Sequence, residues 1–265
     1  MTGDSVLFER AHGVAVLTLN RPSAKNAIGI PTTDALVAAL RGLRAADDIR
    51  AVVLAGAGGD FCAGGDVKGM ADGASRTVEQ RRAGMARYAE LARALASLDK
   101  PLIAAVDGVA FGAGLSMALY ADIVLVSTRA RLAMVFHRIG HVPDVGAWYQ
   151  LPRVVGLRRA KELIYSAREF GADEAVRMNI ALEALAPEAL MPRAMELARS
   201  LAGASPTAFS LSKRALAATL QSDLETMLDM EASSQAIALS SAYFREAIRR
   251  FAAKEPAQFC WPNKD

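Results

Sequence analysis

The pattern of apolar and polar positions changes character once along this 265-residue chain, near Asp144. Before it, residues 6–9 and 14–19 read as two strands around a turn at Ala11-His12-Gly13. The second carries Val14, Val16, Leu17 and Leu19 and stops at Asn20-Arg21-Pro22. Pro31-Thr32-Thr33 then opens a helix to about Ala46, with Leu36, Leu40 and Leu43 on its apolar face. Residues 51–55, 102–106 and 123–126 are apolar without alternation, as expected of strands covered on both faces. Between these runs lie helical stretches at 77–98 and 114–120. The longer one spaces Met85, Tyr88, Leu91, Leu95 and Leu98 by three or four. Strands alternating with helices predict an α/β protein whose strands are largely parallel.

After Asp144 the strand-like runs vanish. Helical patterns follow one another at 146–155, 158–166, 172–178, 188–202, 206–218 and 224–251. Leu224, Leu228, Ile237 and Phe244 offer apolar surface to a partner subunit, and packing within the monomer would use the same residues.

Composition narrows the function classes. Apolar residues make up 52% and charged residues 22%, the balance of a soluble globular protein. Residues 1–10 lack the apolar core of a signal peptide, and the longest apolar runs are far shorter than the roughly 20 residues that span a bilayer. Cys62 and Cys260 are the two cysteines, far apart and without metal-ligand spacing, which fits reduced thiols in the cytoplasm. The net charge of +3 is spread among mixed-sign helix faces with no interleaved aromatics, so no nucleic-acid partner is expected.

Candidate chemistry concentrates in three glycine-rich segments at strand ends. They are Gly56-Ala57-Gly58-Gly59-Asp60-Phe61-Cys62-Ala63-Gly64-Gly65-Asp66, Val106-Asp107-Gly108-Val109-Ala110-Phe111-Gly112-Ala113-Gly114 and Ile139-Gly140-His141-Val142-Pro143-Asp144-Val145-Gly146. Glycines let backbone N–H groups approach a ligand closely, and a helix start after Gly112 would favour negative charge. Two such loops facing each other would form an oxyanion hole, whereas turn formation alone accounts for either loop taken singly. A dinucleotide fingerprint lacks its context, because Gly56–Gly59 runs into Asp60-Phe61-Cys62 instead of a helix. Gly114-Leu115-Ser116-Met117-Ala118 half resembles a nucleophile elbow, but the last histidine, His141, follows only 25 residues later, not far downstream after an acid.

Taken in order, these motifs resemble the enoyl-CoA hydratase/isomerase (crotonase) superfamily. Leu19-Asn20-Arg21-Pro22 with Lys25-Asn26-Ala27 is similar to its N-terminal signature, Phe61 to Asp66 to its first oxyanion loop, and Gly108 to Gly114 to its second. Phe251, Lys254, Pro256 and Phe259 resemble its usual C-terminus, so the likeness runs from about Val14 to Phe259. It implies a crotonase-like spiral of strand-strand-helix (ββα) units at residues 1–200 and a helical C-terminal trimerisation region at 201–265. It also implies an acyl-CoA thioester substrate, no metal, no cofactor beyond the coenzyme A of that substrate, and a homotrimer or dimer of trimers without nucleic-acid or membrane partners. The oxyanion donors would be the N–H groups of Gly65 and Ala113. Lys25, Ala27, Ala63, Asp66 and Val67 would lie along the coenzyme A, and Asp66 also suits loop bracing. Phe111, Ser116, Phe136, Met70 and Trp148 would line the acyl pocket.

Hydratases of this family use two glutamates, and the corresponding positions here hold Ser116 and Phe136, neither of which activates water. Asp144 remains as the base, although aspartate also suits a helix N-cap before Val145-Gly146-Ala147. The runs from Gly112 to Leu119, from Ile139 to Asp144 and from Leu151 to Gly156 resemble bacterial ring-epoxide isomerases of phenylacetyl-CoA breakdown. The expectation is therefore a double-bond or ring-epoxide isomerase of fatty-acid or phenylacetate metabolism, acting through an enolate, with Asp144 as proton shuttle. The alternatives are a hydratase, a dehalogenase using Asp144 as nucleophile, and a non-catalytic CoA- or RNA-binding protein.

Overall fold

The computed structural model describes residues 4–67 and 77–262. It opens with a hairpin of β1 (Val6–Ala11) and β2 (Val14–Leu19), in which Ala11 pairs with Val14. His12 and Gly13 form the two-residue turn with φ of 51° and 76°, the left-handed pair that matches the twist of the flanking strands.

The chain then repeats one move. It passes through α1 (Ile30–Ala45) to β3 (Ala51–Gly56), and through α2 (Val78–Ala96) to β4 (Leu102–Val106). From there β5 (Val109–Phe111) and α3 (Ala113–Ala118) lead to β6 (Ile123–Ser127). Next come β7 (Arg131–Ala133), α4 (Ala147–Ser166), β8 (Glu169–Gly171), α5 (Ala172–Arg177) and β9 (Glu183–Leu185). The large sheet runs β1-β2-β3-β4-β6-β9, parallel from β2 onward, so each turn of the chain adds its strand on the same side. A second sheet, β5-β7-β8, collects the strand that each later turn leaves over. The result is a spiral of stacked turns.

Burial on both faces explains why the central strands lack alternation. Val52 and Leu54 of β3 join Leu36, Leu40, Leu91 and Leu95 in one core. Ala51, Val53 and Ala55 point the other way, into a core with Leu190, Leu197 and Leu201 of α6 (Pro187–Ala202).

Two expectations are corrected. Strands do continue after Asp144, as β8 and β9, but at three residues each they are too short to show a period. The helix expected over 224–251 is two, α8 (Leu224–Leu239) and α9 (Ala242–Ala253), because the Ser241 hydroxyl accepts from Phe244 N and starts a new helix. The break expected between 155 and 158 is present inside α4, where Gly156 leaves helical geometry at φ 74° and ψ 156°. With α7 (Pro206–Ala218), α8 and α9 form a C-terminal layer that has no buried residue within the chain. Among the described residues no helix is long and apolar enough to cross a membrane.

Candidate active site

The first two glycine loops are edges of the second sheet, and ladder pairing decides where their N–H groups point. Cys62 N donates to Val109 O at 2.8 Å and Phe111 N donates back to Cys62 O at 2.9 Å. On the outer side, Ile28 N reaches Gly64 O at 2.8 Å and Asp66 N reaches Ile28 O at 2.9 Å. With Gly64 and Asp66 committed to Ile28, the intervening Gly65 turns its N–H to the opposite side. On the second loop Gly112 N donates to Ala133 O at 2.9 Å, and Ala113 begins α3, where an N–H has no partner in its own helix. Among the described residues, no hydrogen bond takes the N–H of Gly65 or Ala113.

The loops approach so closely that side chains are excluded. A Cβ on Gly64, at φ 99°, would stand 2.9 Å from Phe111 O and 3.6 Å from Ala113 N. One on Gly114 would stand 2.3 Å from Cys62 O. Neighbouring side chains lock the arrangement from behind. Asn26 accepts from Arg21 N at 2.8 Å and donates to Ala57 O and Asp60 O at 2.8 and 2.6 Å, so its amide sews the N-terminal segment to the first loop. Asp60 Oδ1 accepts from Val109 N at 2.9 Å and joins the first loop to the second.

The third loop supplies the acid. Asp144 precedes Val145 and Gly146, both left-handed at φ 48° and 69°, and the latter is the N-cap of α4. Asp144 therefore does not cap that helix. Its Oδ1 is buried with no hydrogen-bond partner, and burial pushes the carboxyl up to about 6. The Cys62 thiol, pushed up to about 12 by burial first and by Asp144 in addition, stays protonated beside it. Tyr88 of α2 is similarly raised, by burial and then by the charges of Asp144 and Asp66.

Most of the other sequence-chosen residues gather around these loops. Phe136 is buried, with Cζ 3.5 Å from where a Gly112 Cβ would be. Ser116 is fully buried and its hydroxyl donates to Gly112 O at 3.0 Å, which braces the second loop. Phe111 lies under the Arg131 guanidinium, 5.7 Å from ring centre to Cζ. Ala63 N donates to Lys25 O at 2.9 Å, and Ala27 O accepts from Arg21 Nη1 at 2.7 Å. Lys25 extends to 3.8 Å from Asp60, Val67 is exposed, and Asp66 is paired with Arg21 at 3.0 Å, in keeping with a bracing role. Trp148, in the first turn of α4, is 62% exposed. Met70 lies outside the described residues. Among the described residues no group of three or more His, Cys, Asp or Glu could hold a metal ion.

A family model described as enoyl-CoA hydratase/isomerase matches residues 9–261. The chain belongs to the enoyl-CoA hydratase/isomerase family. A probable enoyl-CoA hydratase of Rhodobacter capsulatus is 37% identical, over 98% of this chain and 99% of that protein. The 1,2-epoxyphenylacetyl-CoA isomerase of Escherichia coli is also 37% identical, over 96% and 97%. An enoyl-CoA hydratase/isomerase from Cupriavidus metallidurans superposes with a TM-score of 0.94 at 40% identity, covering all of both chains. The spiral is thus the crotonase fold, and acyl-CoA thioesters are the substrates of this family.

Two tyrosines that the sequence pattern does not single out also lie near the Asp144 turn. Tyr88 fitted a stripe of leucines at helical spacing and read as core. Tyr120 follows α3 by two residues as one aromatic in an apolar run, and its contact with the Asp144 turn joins residues 26 apart. Only the polar tip on each ring distinguished them from their neighbours.

Proposed function

We propose that this protein is an acyl-CoA isomerase that moves a double bond, or opens a ring epoxide, through a thioester enolate. The observation that carries this reading is Asp144: a buried carboxyl with a free Oδ1, raised to about 6, facing a site whose two other expected carboxylate positions hold Ser116 and Phe136.

For a 3-enoyl thioester, the Asp144 carboxylate takes a proton from C2. The electron pair delocalises through the carbonyl, and the thioester oxygen becomes an enolate oxygen. The N–H groups of Gly65 and Ala113 hold that oxygen, and one donor of this kind typically lowers a barrier by about 3–4 kcal/mol. The Asp144 carboxyl then returns the proton to C4, so the double bond moves into conjugation and the enzyme ends in its starting state. A single acid serves both steps because its pKa lies near working pH. Water activation has no comparable group: Ser116 is turned into its own helix and Phe136 has no proton to exchange. In the same reading, Lys25, Ala27, Ala63 and Val67 follow the coenzyme A, and the C-terminal helices 201–265 assemble copies of the chain.

A side-by-side assay with 3-hexenoyl-CoA and crotonyl-CoA tests this. Conjugated product should form from the first with little loss of the second, and Asp144→Asn should lower isomerase turnover at least a hundredfold. Rapid hydration of crotonyl-CoA, or full isomerase activity in Asp144→Asn, would overturn it.

A further inference from the structure

The catalytic aspartate sits on a turn that its own sequence does not favour. Val145 is β-branched yet left-handed at φ 48°, and Gly146 follows at φ 69°. For a branched residue this backbone is a true outlier, which persists only when surrounding packing fixes it. Val145 is buried in the core, which anchors one side of the turn. The other side meets Tyr120.

A Cβ on Gly146 would stand 2.0 Å from the Tyr120 hydroxyl oxygen and 3.2 Å from its Cζ. The tip of the tyrosine therefore rests on the Gly146 backbone, where any side chain would collide with it. The same hydroxyl makes a polar contact with the Gln150 side chain, one turn into α4. At its other end, Tyr120 is tied to α3 through Tyr120 N to Met117 O at 3.1 Å. All six residues of α3 are buried, and its first residue is Ala113. One rigid block thus carries an oxyanion donor at its start and touches the Asp144 turn at its end.

We propose that Tyr120 is a positioning residue: a strut that sets the height of Asp144 above the Ala113 end of the oxyanion loops. Proton transfer at a carbon held in that hole depends on the separation of the two, and misplacement by about 1 Å costs on the order of a hundredfold in rate. The proposal rests on the assignment of Asp144 as base. Among the described residues, the titratable groups that feel the charge of Asp144 are the Cys62 thiol and the Tyr88 hydroxyl, which also feels Asp66, and Tyr120 itself faces Tyr149 and Gln150. Both the thiol and the Tyr88 hydroxyl are raised and stay neutral between pH 5 and 8, which leaves Asp144 to set the acid limb.

Tyr120→Leu removes the tip and leaves an apolar filler, and Tyr120→Phe keeps the ring. With 3-hexenoyl-CoA, Tyr120→Leu should lose at least tenfold in kcat with less than a threefold change in KM. Its acid limb should move to lower pH as water reaches Asp144. Tyr120→Phe, which deletes only the hydroxyl resting on Gly146, should lose kcat in the same direction by a smaller factor, with KM again within threefold. A Tyr120→Leu enzyme with wild-type kcat and acid limb overturns the strut, as does a loss confined to KM. Should Tyr120→Leu fail to fold, Tyr120→Met, which refills the volume flexibly, is read by the same criteria. Asp144→Asn is the companion variant. If it is fully active, base and strut fall together; if it is inactive beside a normal Tyr120→Leu, the strut alone falls.

Discussion

At the scale of single residues, the carboxyl proposed as the base weakens the fold that holds it. Its carboxyl is raised from an ordinary 3.8 to about 6 because burial penalises the charged form. A group whose pKa rises on folding contributes stability below its unfolded value, and that contribution is lost as pH climbs through the folded value. Here the window runs from about 3.8 to about 6, and the full difference corresponds to about 3 kcal/mol against the native state at neutral pH. Asp144→Asn carries no charge to bury. It should melt above the wild type at pH 7.5, with the gap closing below pH 4; equal melting temperatures at both pH values would mean that the carboxylate is solvated. The same titration has the opposite sign for turnover. The proposed base works ionised, so kcat should rise through about pH 6 and level off above it, as a stopped pH series on 3-hexenoyl-CoA would read.

At the scale of elements, the site is a consequence of two loops stacked in backbone contact. Gly114→Ala would place a carbon 2.3 Å from Cys62 O, against main chain that cannot turn aside as a side chain can. It should lower the urea midpoint by the equivalent of ~3 kcal/mol, the upper part of the range for overpacked cores. Gly84→Ala on α2, where an added Cβ meets nothing, should instead gain up to ~1 kcal/mol of helix propensity. A mild Gly114→Ala would mean that the loops stand further apart. Elements of this kind differed in how openly the sequence displayed them. The strands at Ala51 and Leu102 announce themselves because both their faces are covered, which leaves an unbroken apolar run. β5, β7, β8 and β9 have three residues each, and their partners are chosen by the spiral, not by local pattern. Gly65 and Ala113, the donors proposed here, could be picked out from their motifs because backbone N–H groups are what a glycine loop presents in any sequence. The partner of Asp66 lies 45 residues away at Arg21, and the contact of Tyr120 with the Asp144 turn crosses between helices, so neither had a local signature.

At the scale of the whole molecule, the chain is unevenly finished. Its spiral buries two cores, while α7, α8 and α9 bury no residue of their own. This layer is firmly attached: Lys213 of α7 pairs with Asp122 at 2.7 Å and donates to Lys100 O at 3.0 Å, and Arg50 reaches Ala204 O at 3.0 Å. Its outward residues are nonetheless large and apolar, with Leu224 at 70% and Phe251 at 83% exposure and Leu216 and Leu220 similarly bare. Large apolar side chains bared in such number on one layer suit an association face, and soluble homo-oligomers close by symmetry. With the assembly through the C-terminal helices proposed above, it leads to the expectation that light scattering on the eluting protein gives three or six times the 28.1 kDa of one chain. Leu224→Glu combined with Phe251→Glu should shift that mass to a single chain with unchanged circular dichroism, because neither side chain is needed by the monomer's own core. A wild-type mass of 28.1 kDa would sink the assembly and leave the bare helices needing another partner.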